Sequence, residues 1–146
     1  MKTKFNIKII NKDYYKSVKW YNNLPSFDRF GSAILNLVAC NEITIMPGEK
    51  KGVYTGIAID MESVCISETM YTIGLILPDK ILGDQGLVLP FGVDFLNSNS
   101  KEEIVIDVVN KTQDKSCTIY PGNKVARMIF VPVIRNFGWN VVEEFK

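Results

Sequence analysis

The side chains that could carry acid–base chemistry in this 146-residue sequence are carboxylates, lysines, tyrosines and cysteines, because the sequence contains no histidine. Histidine is the usual general base at neutral pH and the commonest metal ligand, so neither role has its ordinary residue here. The three cysteines, Cys40, Cys65 and Cys117, are odd in number and show no CxxC spacing. We therefore expect buried free thiols rather than a disulfide framework or a zinc site.

Two short polar segments have spacing that is ordinary for turns. Asn97-Ser-Asn-Ser100 has the composition of a β-turn, and Asp79-Lys80 after Pro78 is typical of the cap of an exposed turn. Taken alone, neither segment indicates catalysis.

The formal net charge of +1 predicts no global field that would recruit nucleic acid or acidic lipid. The sequence has no apolar run of membrane-spanning length, and its first residues lack the apolar region of a signal peptide. We therefore expect a cytoplasmic protein with no membrane or nucleic-acid partner. The N-terminal lysines are expected to be solvated surface.

Period-two alternation dominates the sequence and predicts short strands separated by Gly, Pro and Asn turns. The predicted strands are Lys4–Ile10, Ala33–Val38, Glu42–Met46, Val53–Ile59, Thr72–Leu77, Gly86–Leu89, Ile104–Asn110, Ser116–Ile119 and Val125–Pro132. Helical periodicity is weak, with one possible turn at Asp79–Leu82. The pattern predicts one all-β domain over 1–146, a sandwich or jelly roll.

Two terminal segments are expected to flank the strands. Residues 1–30 comprise an N-terminal strand followed by an aromatic and basic connector over 13–30, and residues 133–146 form a C-terminal tail. The connector carries Tyr14, Tyr15, Trp20 and Tyr21, which are candidates for a docking surface because aromatic anchors are enriched at interfaces. Trp139 is a further candidate that could anchor the tail on a neighbouring subunit.

Four segments resemble the motifs of the trimeric dUTPase family, in the same order. Gly31–Leu37 resembles GSAGxDL, Gly74–Gly83 resembles GLIxPRSSLG, Gly92–Ile104 occupies the place of GVIDSDYRGEI, and Gly122–Phe130 resembles GDRIAQLIF. The resemblance implies a dUTPase-like jelly roll or β-barrel of the β-clip type. It also implies a homotrimer with sites at subunit boundaries, hydrolysing dUTP to dUMP and pyrophosphate with Mg²⁺.

Several positions depart from the residues that the family's chemistry uses. Asn36 and Asn97 stand where the first and third motifs have Asp, and an amide cannot accept a proton as a general base does. Asp79 and Lys80 stand in place of an Arg that helps hold the phosphates and the Ser after it. Ser100 stands in place of a Tyr that packs under the deoxyribose.

Two further departures follow from the same motifs. Asn99 replaces the second Asp of the third motif, and residues 133–146 lack the glycine-rich arm that closes over the nucleotide in the family. These changes predict a degenerate member without catalytic residues, metal or cofactor, so that Mg²⁺ matters only if some dUTPase activity remains.

We therefore expect a non-catalytic trimer acting as a structural or adaptor protein, for example in a phage virion. The alternative is a dUTP- or dUMP-binding regulatory protein, or a weakly active dUTP nucleotidohydrolase. If nucleotide binding is retained, the expected residues are Phe95, Leu96, Asn97, Asn99 and Arg127.

Overall fold

The computed structural model describes residues 5–18, 34–64, 70–134 and 138–146. The described residues form ten strands, joined by short turns. They are β1 Asn6–Ile9, β2 Leu35–Val38, β3 Ile43–Ile45, β4 Lys50–Asp60, β5 Met70–Pro78, β6 Leu87–Val88, β7 Asp94–Leu96, β8 Glu103–Asn110, β9 Cys117–Ile119 and β10 Lys124–Ile134. The prediction of an all-β fold is confirmed.

The strands pair antiparallel in two four-stranded sheets and one two-stranded sheet. The first sheet has the order β1-β4-β8-β6, the second has the order β2-β10-β5-β7, and β3 pairs with β9. Buried aliphatic side chains such as Ile57, Ile106, Leu37, Ile76 and Met128 form one core cluster. Every second residue of a strand points to the same face, so each four-stranded sheet contributes one row of side chains per strand to this cluster. The cluster therefore holds the sheets together.

The two faces of the second sheet differ in character. Met128 on β10 and Ile76 on β5 are fully buried in the core. Their neighbours Arg127, Ile129 and Leu75 are only partly buried, and strand alternation places them on the opposite face. We call that opposite surface the outer face of the second sheet.

Gly56 produces a bulge in β4 that fixes the N-terminal region. Its φ is +72°, and the pairing of β4 with β8 shifts register between Tyr54 and Ala58. The Gly56 carbonyl accepts hydrogen bonds from the backbone nitrogens of Ile10 and Asn11, at 2.7 and 3.0 Å. A Cβ at this position would lie 2.8 Å from the Asn11 Cβ, so only glycine fits.

A helix at the start of the predicted connector was not expected from the sequence. Lys12–Ser17 forms helix α1, and Asn11 caps it by accepting a hydrogen bond from the Tyr14 nitrogen at 3.0 Å. Six residues are too few to display helical periodicity in a sequence. The rest of the predicted connector lies in 19–33, outside the described residues.

Two other elements differ from the prediction. The segment Asp94–Leu96 belongs to none of the predicted strands, yet it pairs with β5 as β7. The possible helical turn at Asp79–Leu82 is confirmed, because Asp79 caps helix α2 over Lys80–Asp84. A 3-10 turn at Met61–Val64 was not predicted. No helix among the described residues is long and apolar enough to cross a membrane.

Candidate functional site

The first group of candidate residues lies on three adjacent strands of the second sheet. Asn36 on β2 is the Cα partner of Arg127 on β10, and Arg127 is the partner of Leu77 on β5. Directly opposed residues in antiparallel strands have Cβ atoms about 4.5–5.5 Å apart and share a face. These side chains therefore form one row on the outer face. We call Asn36, Leu77, Asp79 and Arg127 the strand half-site.

Two buried polar atoms of this row have no hydrogen-bond partner among the described residues. Asn36 is only 4% exposed, and its Oδ1 atom accepts no hydrogen bond from the described residues. The Nε atom of Arg127 is also buried and has no acceptor among them. A buried polar atom without a partner opposes folding by about 1–3 kcal/mol, so the row is suited to receive a polar ligand.

Asp79 closes the row at the end of β5. Its backbone is extended, with φ −80° and ψ 137°, so its side chain follows Leu77 on the same face. The carboxylate accepts a hydrogen bond from the Ile81 nitrogen at 2.9 Å and caps α2. The predicted cap is therefore present, but Asp79 is 7% exposed rather than part of an exposed turn. Lys80, the next residue, is exposed.

The second group of candidates lines one cavity beside β7. The cavity measures about 440 Å³ and is lined by Phe95, Leu96, Asn97, Asn99, Ser100, Lys101 and Glu102. We call these residues, 95–102, the turn half-site. Four of the five residues expected to bind nucleotide therefore share a cavity, and their role stays a prediction.

Backbone hydrogen bonds hold the turn half-site in one shape. The Ser100 nitrogen donates to the Asn97 carbonyl at 3.0 Å, and the Ser100 carbonyl accepts from the Met61 nitrogen at 3.0 Å. Asn97 and Asn99 are exposed, and the Phe95 ring is 55% exposed at the cavity. The cavity therefore presents free amide side chains and one aromatic face on a fixed backbone.

The turn half-site has no excess of positive charge. Lys101 pairs with Glu62 at 3.2 Å, and Glu102 is exposed. At the start of β8, burial raises the pKa of Glu103, whose Oε2 atom is buried and has no partner among the described residues. The turn half-site therefore offers hydrogen bonds rather than a strong field.

The two half-sites lie far apart within one chain. Arg127 is four residues from Val131, which pairs with Ile73, and Asn97 follows Leu96, the partner of Gly74. At about 3.3 Å per residue and about 4.8 Å between strands, Arg127 and Asn97 are on the order of 15–20 Å apart. A single subunit therefore does not bring both groups around one reacting atom.

A further cavity of about 410 Å³ has Cys40 and Glu103 in its wall but shows no catalytic arrangement. Burial raises the pKa of the Cys40 thiol, so it is uncharged and a poor nucleophile at neutral pH. No cluster of three metal-ligating side chains occurs in the described part of the chain. The expectation of free thiols holds for Cys40 and Cys117, and Cys65 lies outside the described residues.

The aromatic docking candidates fall in different environments. Tyr15 is 1% exposed and donates a hydrogen bond from its hydroxyl to the Thr55 carbonyl at 3.0 Å, so it is a core residue and not a docking residue. Tyr14 packs edge-on against it, with ring centroids 4.9 Å apart. Trp139 is 88% exposed in the C-terminal tail. Trp20 and Tyr21 lie outside the described residues.

The sequence reasoning missed Leu77, Lys101 and Glu102. Leu77 joins the strand half-site only through the pairing register of β5 with β10, which no local pattern encodes. Lys101 and Glu102 directly follow the predicted turn, and their position next to it was the available signal.

A family model and the sequences of similar proteins point to the same family. The family model described as dUTPase matches residues 20–146. The deoxyuridine 5'-triphosphate nucleotidohydrolase of Wigglesworthia glossinidia brevipalpis is 34% identical over 148 residues, covering 99% of this chain and 89% of the relative. The protein of the same name from Shigella flexneri is 35% identical over 148 residues, covering 99% and 90%.

Solved structures agree on the fold. The dUTPase of Staphylococcus bacteriophage 80alpha superposes with a TM-score of 0.77 at 16% identity, covering 99% of both chains. A mutant dUTPase from phage phi11 of S. aureus, described with a structural Mg(II) ion, has a TM-score of 0.75 at 15% identity, covering 97% of this chain and 98% of that one. At these identities the likeness concerns the fold alone.

The comparisons correct three expectations from the sequence. The expectation of a non-enzyme is wrong, because relatives about 35% identical over the full chain are named nucleotidohydrolases. A degenerate phage virion protein is likewise unsupported. The expectation of no metal is unsupported too, because the dUTPase of phage phi11, which shares the fold, is described with a structural Mg(II) ion. Single substitutions at motif positions therefore do not exclude catalysis in a chain that is similar to its relatives along its whole length.

Proposed function

Because this chain belongs to the dUTPase family, we propose that it is a weakly active dUTP nucleotidohydrolase, converting dUTP to dUMP and pyrophosphate with Mg²⁺. The observation that supports this most is the cavity of the turn half-site, which gathers Phe95, Leu96, Asn97 and Asn99 on a rigid backbone. A cleft with a few fixed polar groups and an aromatic face suits a nucleoside.

In this proposal the turn half-site binds the base and sugar and orients the attacking water. The Asn97 side chain is exposed at the cavity and can accept a hydrogen bond from water through its Oδ1 atom. The water oxygen attacks the α-phosphorus, the bond to the β-phosphate oxygen breaks, and pyrophosphate leaves. The amide cannot take the water's proton, which passes to solvent. Loss of general-base action lowers the rate by about 10²–10⁴-fold.

The described residues fit a metal that is carried by the substrate phosphates. The described residues contain no cluster of three candidate ligands, whereas Mg²⁺ commonly uses substrate phosphates and water as ligands. Asn36, whose Oδ1 atom is buried and unpartnered among the described residues, could accept a hydrogen bond from such a water. The metal supplies charge neutralisation of the polyphosphate when bound.

We further propose that the active assembly is a homotrimer. Two observations support it: the half-sites are on the order of 15–20 Å apart within one chain, and the outer face of the second sheet exposes aliphatic side chains. Ile73, Leu75, Ile129 and Val131 are all partly exposed there. A second copy that covers this face could bring its turn half-site to the strand half-site.

Pyrophosphate release from dUTP and Mg²⁺ tests the activity. A typical enzyme turns over at about 10 s⁻¹, so loss of the general base predicts a turnover of about 10⁻³ to 10⁻¹ s⁻¹. The comparison substrates are dTTP and UTP. Asn97→Ala should abolish the rate, while Asn41→Ala, at an exposed residue outside both half-sites, should retain it. Identical rates from the wild type and Asn97→Ala would indicate a contaminating enzyme and contradict the proposal.

A further inference from the structure

The cavity beside Cys40 lies where β1 ends and α1 begins. It measures about 410 Å³, and its wall includes residues 10–13, Cys40, Tyr54 and Glu103. None of these residues belongs to the strand half-site or to the turn half-site. A cavity of this size can enclose a small organic molecule. We call it the N-terminal cavity.

The carboxylate of Glu103, in the wall of this cavity, has no counter-ion among the described residues. Its Oε2 atom is buried and accepts no hydrogen bond from them, and no ion pair within 4.0 Å involves Glu103 in that part of the chain. Burial raises the pKa of this carboxyl group above its ordinary value, because water solvates the charge poorly there. A cation that contacts the partly exposed remainder of the side chain would neutralise the whole carboxylate.

The other groups of the wall complete a site for a positive charge. Asp13 adds a second carboxylate, whereas Lys12 is the one ammonium group in the wall, and neither forms an ion pair within 4.0 Å with any described residue. Tyr54 is 53% exposed and contributes an aromatic ring, to whose face a cation is attracted. The wall therefore carries more negative than positive charge beside an aromatic surface, and this combination favours an organic cation.

Backbone hydrogen bonds hold the wall of the N-terminal cavity in place. The nitrogens of Ile10 and Asn11 donate to the Gly56 carbonyl at 2.7 and 3.0 Å, and the Cys40 nitrogen donates to the Tyr54 carbonyl at 3.0 Å. These bonds join the start of α1 and the turn after β2 to strand β4. A preformed cavity loses little conformational entropy when a ligand binds.

We propose that the N-terminal cavity binds a small organic molecule that carries a primary ammonium group. The ammonium group donates hydrogen bonds to the Glu103 carboxylate, its charge lies against the Tyr54 ring, and Asp13 supplies the second carboxylate. An inorganic cation is less suited, because the described residues contain no cluster of three metal-ligating side chains. The site is independent of the proposed function, since it uses no residue of either half-site.

Calorimetry on the full chain tests the proposal, with putrescine as the probe. Putrescine carries an ammonium group at each end of a four-carbon chain, and 1,4-butanediol is its uncharged counterpart of equal length. Putrescine should bind as one molecule per chain and about tenfold or more tightly than the diol, because only an ammonium group neutralises Glu103. The measurement is made without nucleotide, since a diamine also associates with polyphosphate.

Three variants assign the binding to this cavity. Glu103→Gln keeps the shape of the side chain and removes its charge, so it should weaken putrescine binding by about tenfold. Tyr54→Leu should weaken binding by about three- to tenfold, through loss of the cation–π contact. Asp107→Asn is the control, because Asp107 is an exposed carboxylate on the same strand as Glu103 but outside the cavity. It lies about 13 Å along the strand, so its charge is screened at about 0.15 M salt and its loss should leave binding unchanged.

The proposal is overturned if putrescine binds no more tightly than the diol. It is also overturned if Glu103→Gln and Tyr54→Leu, both folded by thermal denaturation, bind putrescine as the wild type does. If Glu103→Gln does not fold, Tyr54→Leu, at an exposed residue, decides alone. Equal weakening by Asp107→Asn would indicate a general attraction to negative surface and would refute the site. None of these outcomes bears on dUTP hydrolysis, which is measured separately.

Discussion

The strand half-site and the turn half-site differ in whether their buried polar atoms have hydrogen-bond partners. In the strand half-site, Asn36 and Arg127 are fixed by strand register and retain buried polar atoms without partners among the described residues. In the turn half-site, the Ser100 nitrogen and the carbonyls of Asn97 and Ser100 are hydrogen-bonded within the chain, and the Asn97 side chain is exposed. The first is therefore incomplete until a ligand arrives, whereas the second is complete as a turn.

This difference indicates where substitutions act. Strand pairing sets the position of a residue such as Arg127, so a substitution there can change the charge without moving the backbone. A residue in a satisfied turn can change its chemistry without disturbing the fold, as at Asn97. Neither kind of substitution alters the course of the backbone. The fold is consequently a poor guide to the rate of the reaction, and each half-site has to be tested by its own variants.

The largest expected effect on activity comes from a substitution that prevents the subunits from associating, which would separate the two half-sites. Leu75 lies on the outer face of the second sheet between Ile129 and Phe95, and Leu75→Glu places a charge where a second copy would pack. Light scattering should show the mass falling from roughly three times the subunit mass to the subunit mass of 16.5 kDa. Pyrophosphate release should fall below detection.

The matched control is Tyr54→Glu, which introduces the same charge at a residue 53% exposed on the first sheet. It should remain trimeric. A wild-type protein that is monomeric and turns over dUTP at the expected rate would contradict the idea that the half-sites meet only between subunits.

Restoring a carboxylate in the turn half-site should give the next largest effect. Asn97→Asp should raise kcat by about 10²-fold, the lower end of general-base catalysis, because Asn36, Asp79 and Ser100 are unchanged. The measurement is pyrophosphate release as a function of pH, and activity should rise as the new carboxylate ionises.

Asn41→Asp is the control for Asn97→Asp, since it makes the same chemical change at an exposed residue outside both half-sites. No gain from Asn97→Asp, in a protein whose trimer and melting temperature are intact, would show that Asn97 does not lie beside the attacking water.

Mixing two damaged chains should restore part of the activity. Asn97→Ala damages only the turn half-site, and Arg127→Gln damages only the strand half-site. If each site combines half-sites from two subunits, random assortment gives about a quarter of the sites with both halves intact. Co-refolded mixtures should recover that fraction of wild-type turnover, whereas half-sites working within one chain would recover none.

The smallest effect concerns the strand that follows the turn half-site. Burial raises the pKa of Glu103 above its ordinary value of 4.5, so the stability of the fold falls as pH rises through the folded pKa. Glu103→Gln should therefore be more stable than the wild type at pH 7, by about 0.5 kcal/mol because the side chain is partly exposed. The difference should vanish below pH 4.5.

Thermal denaturation at both pH values measures this effect. Glu42→Gln, the same change at an exposed acid, is the control for loss of one negative charge. A larger gain from Glu103→Gln at low pH than at pH 7 would reverse the assigned sign.

Much of the fold followed from the sequence because alternation is a local property. Residues such as Ile104, Ile106 and Val108 alternate with more exposed neighbours, and the predicted strand over them matches β8. Helix α1 and strand β7 were missed because each is too short to show a period. The helix depends on a cap at Asn11, and β7 depends on its pairing with β5.

The sequence by itself determined most of the strands, their turns and the motifs that name the family, because each of these is encoded by residues close together in the chain. Only the tertiary structure determined that Arg127 pairs with Asn36 and Leu77. It also determined that Asn97 follows β7, the strand at the opposite edge of the sheet from β2. Register between strands is set by burial of one face across residues about 50 to 90 positions apart in this chain, and such pairing leaves no local pattern.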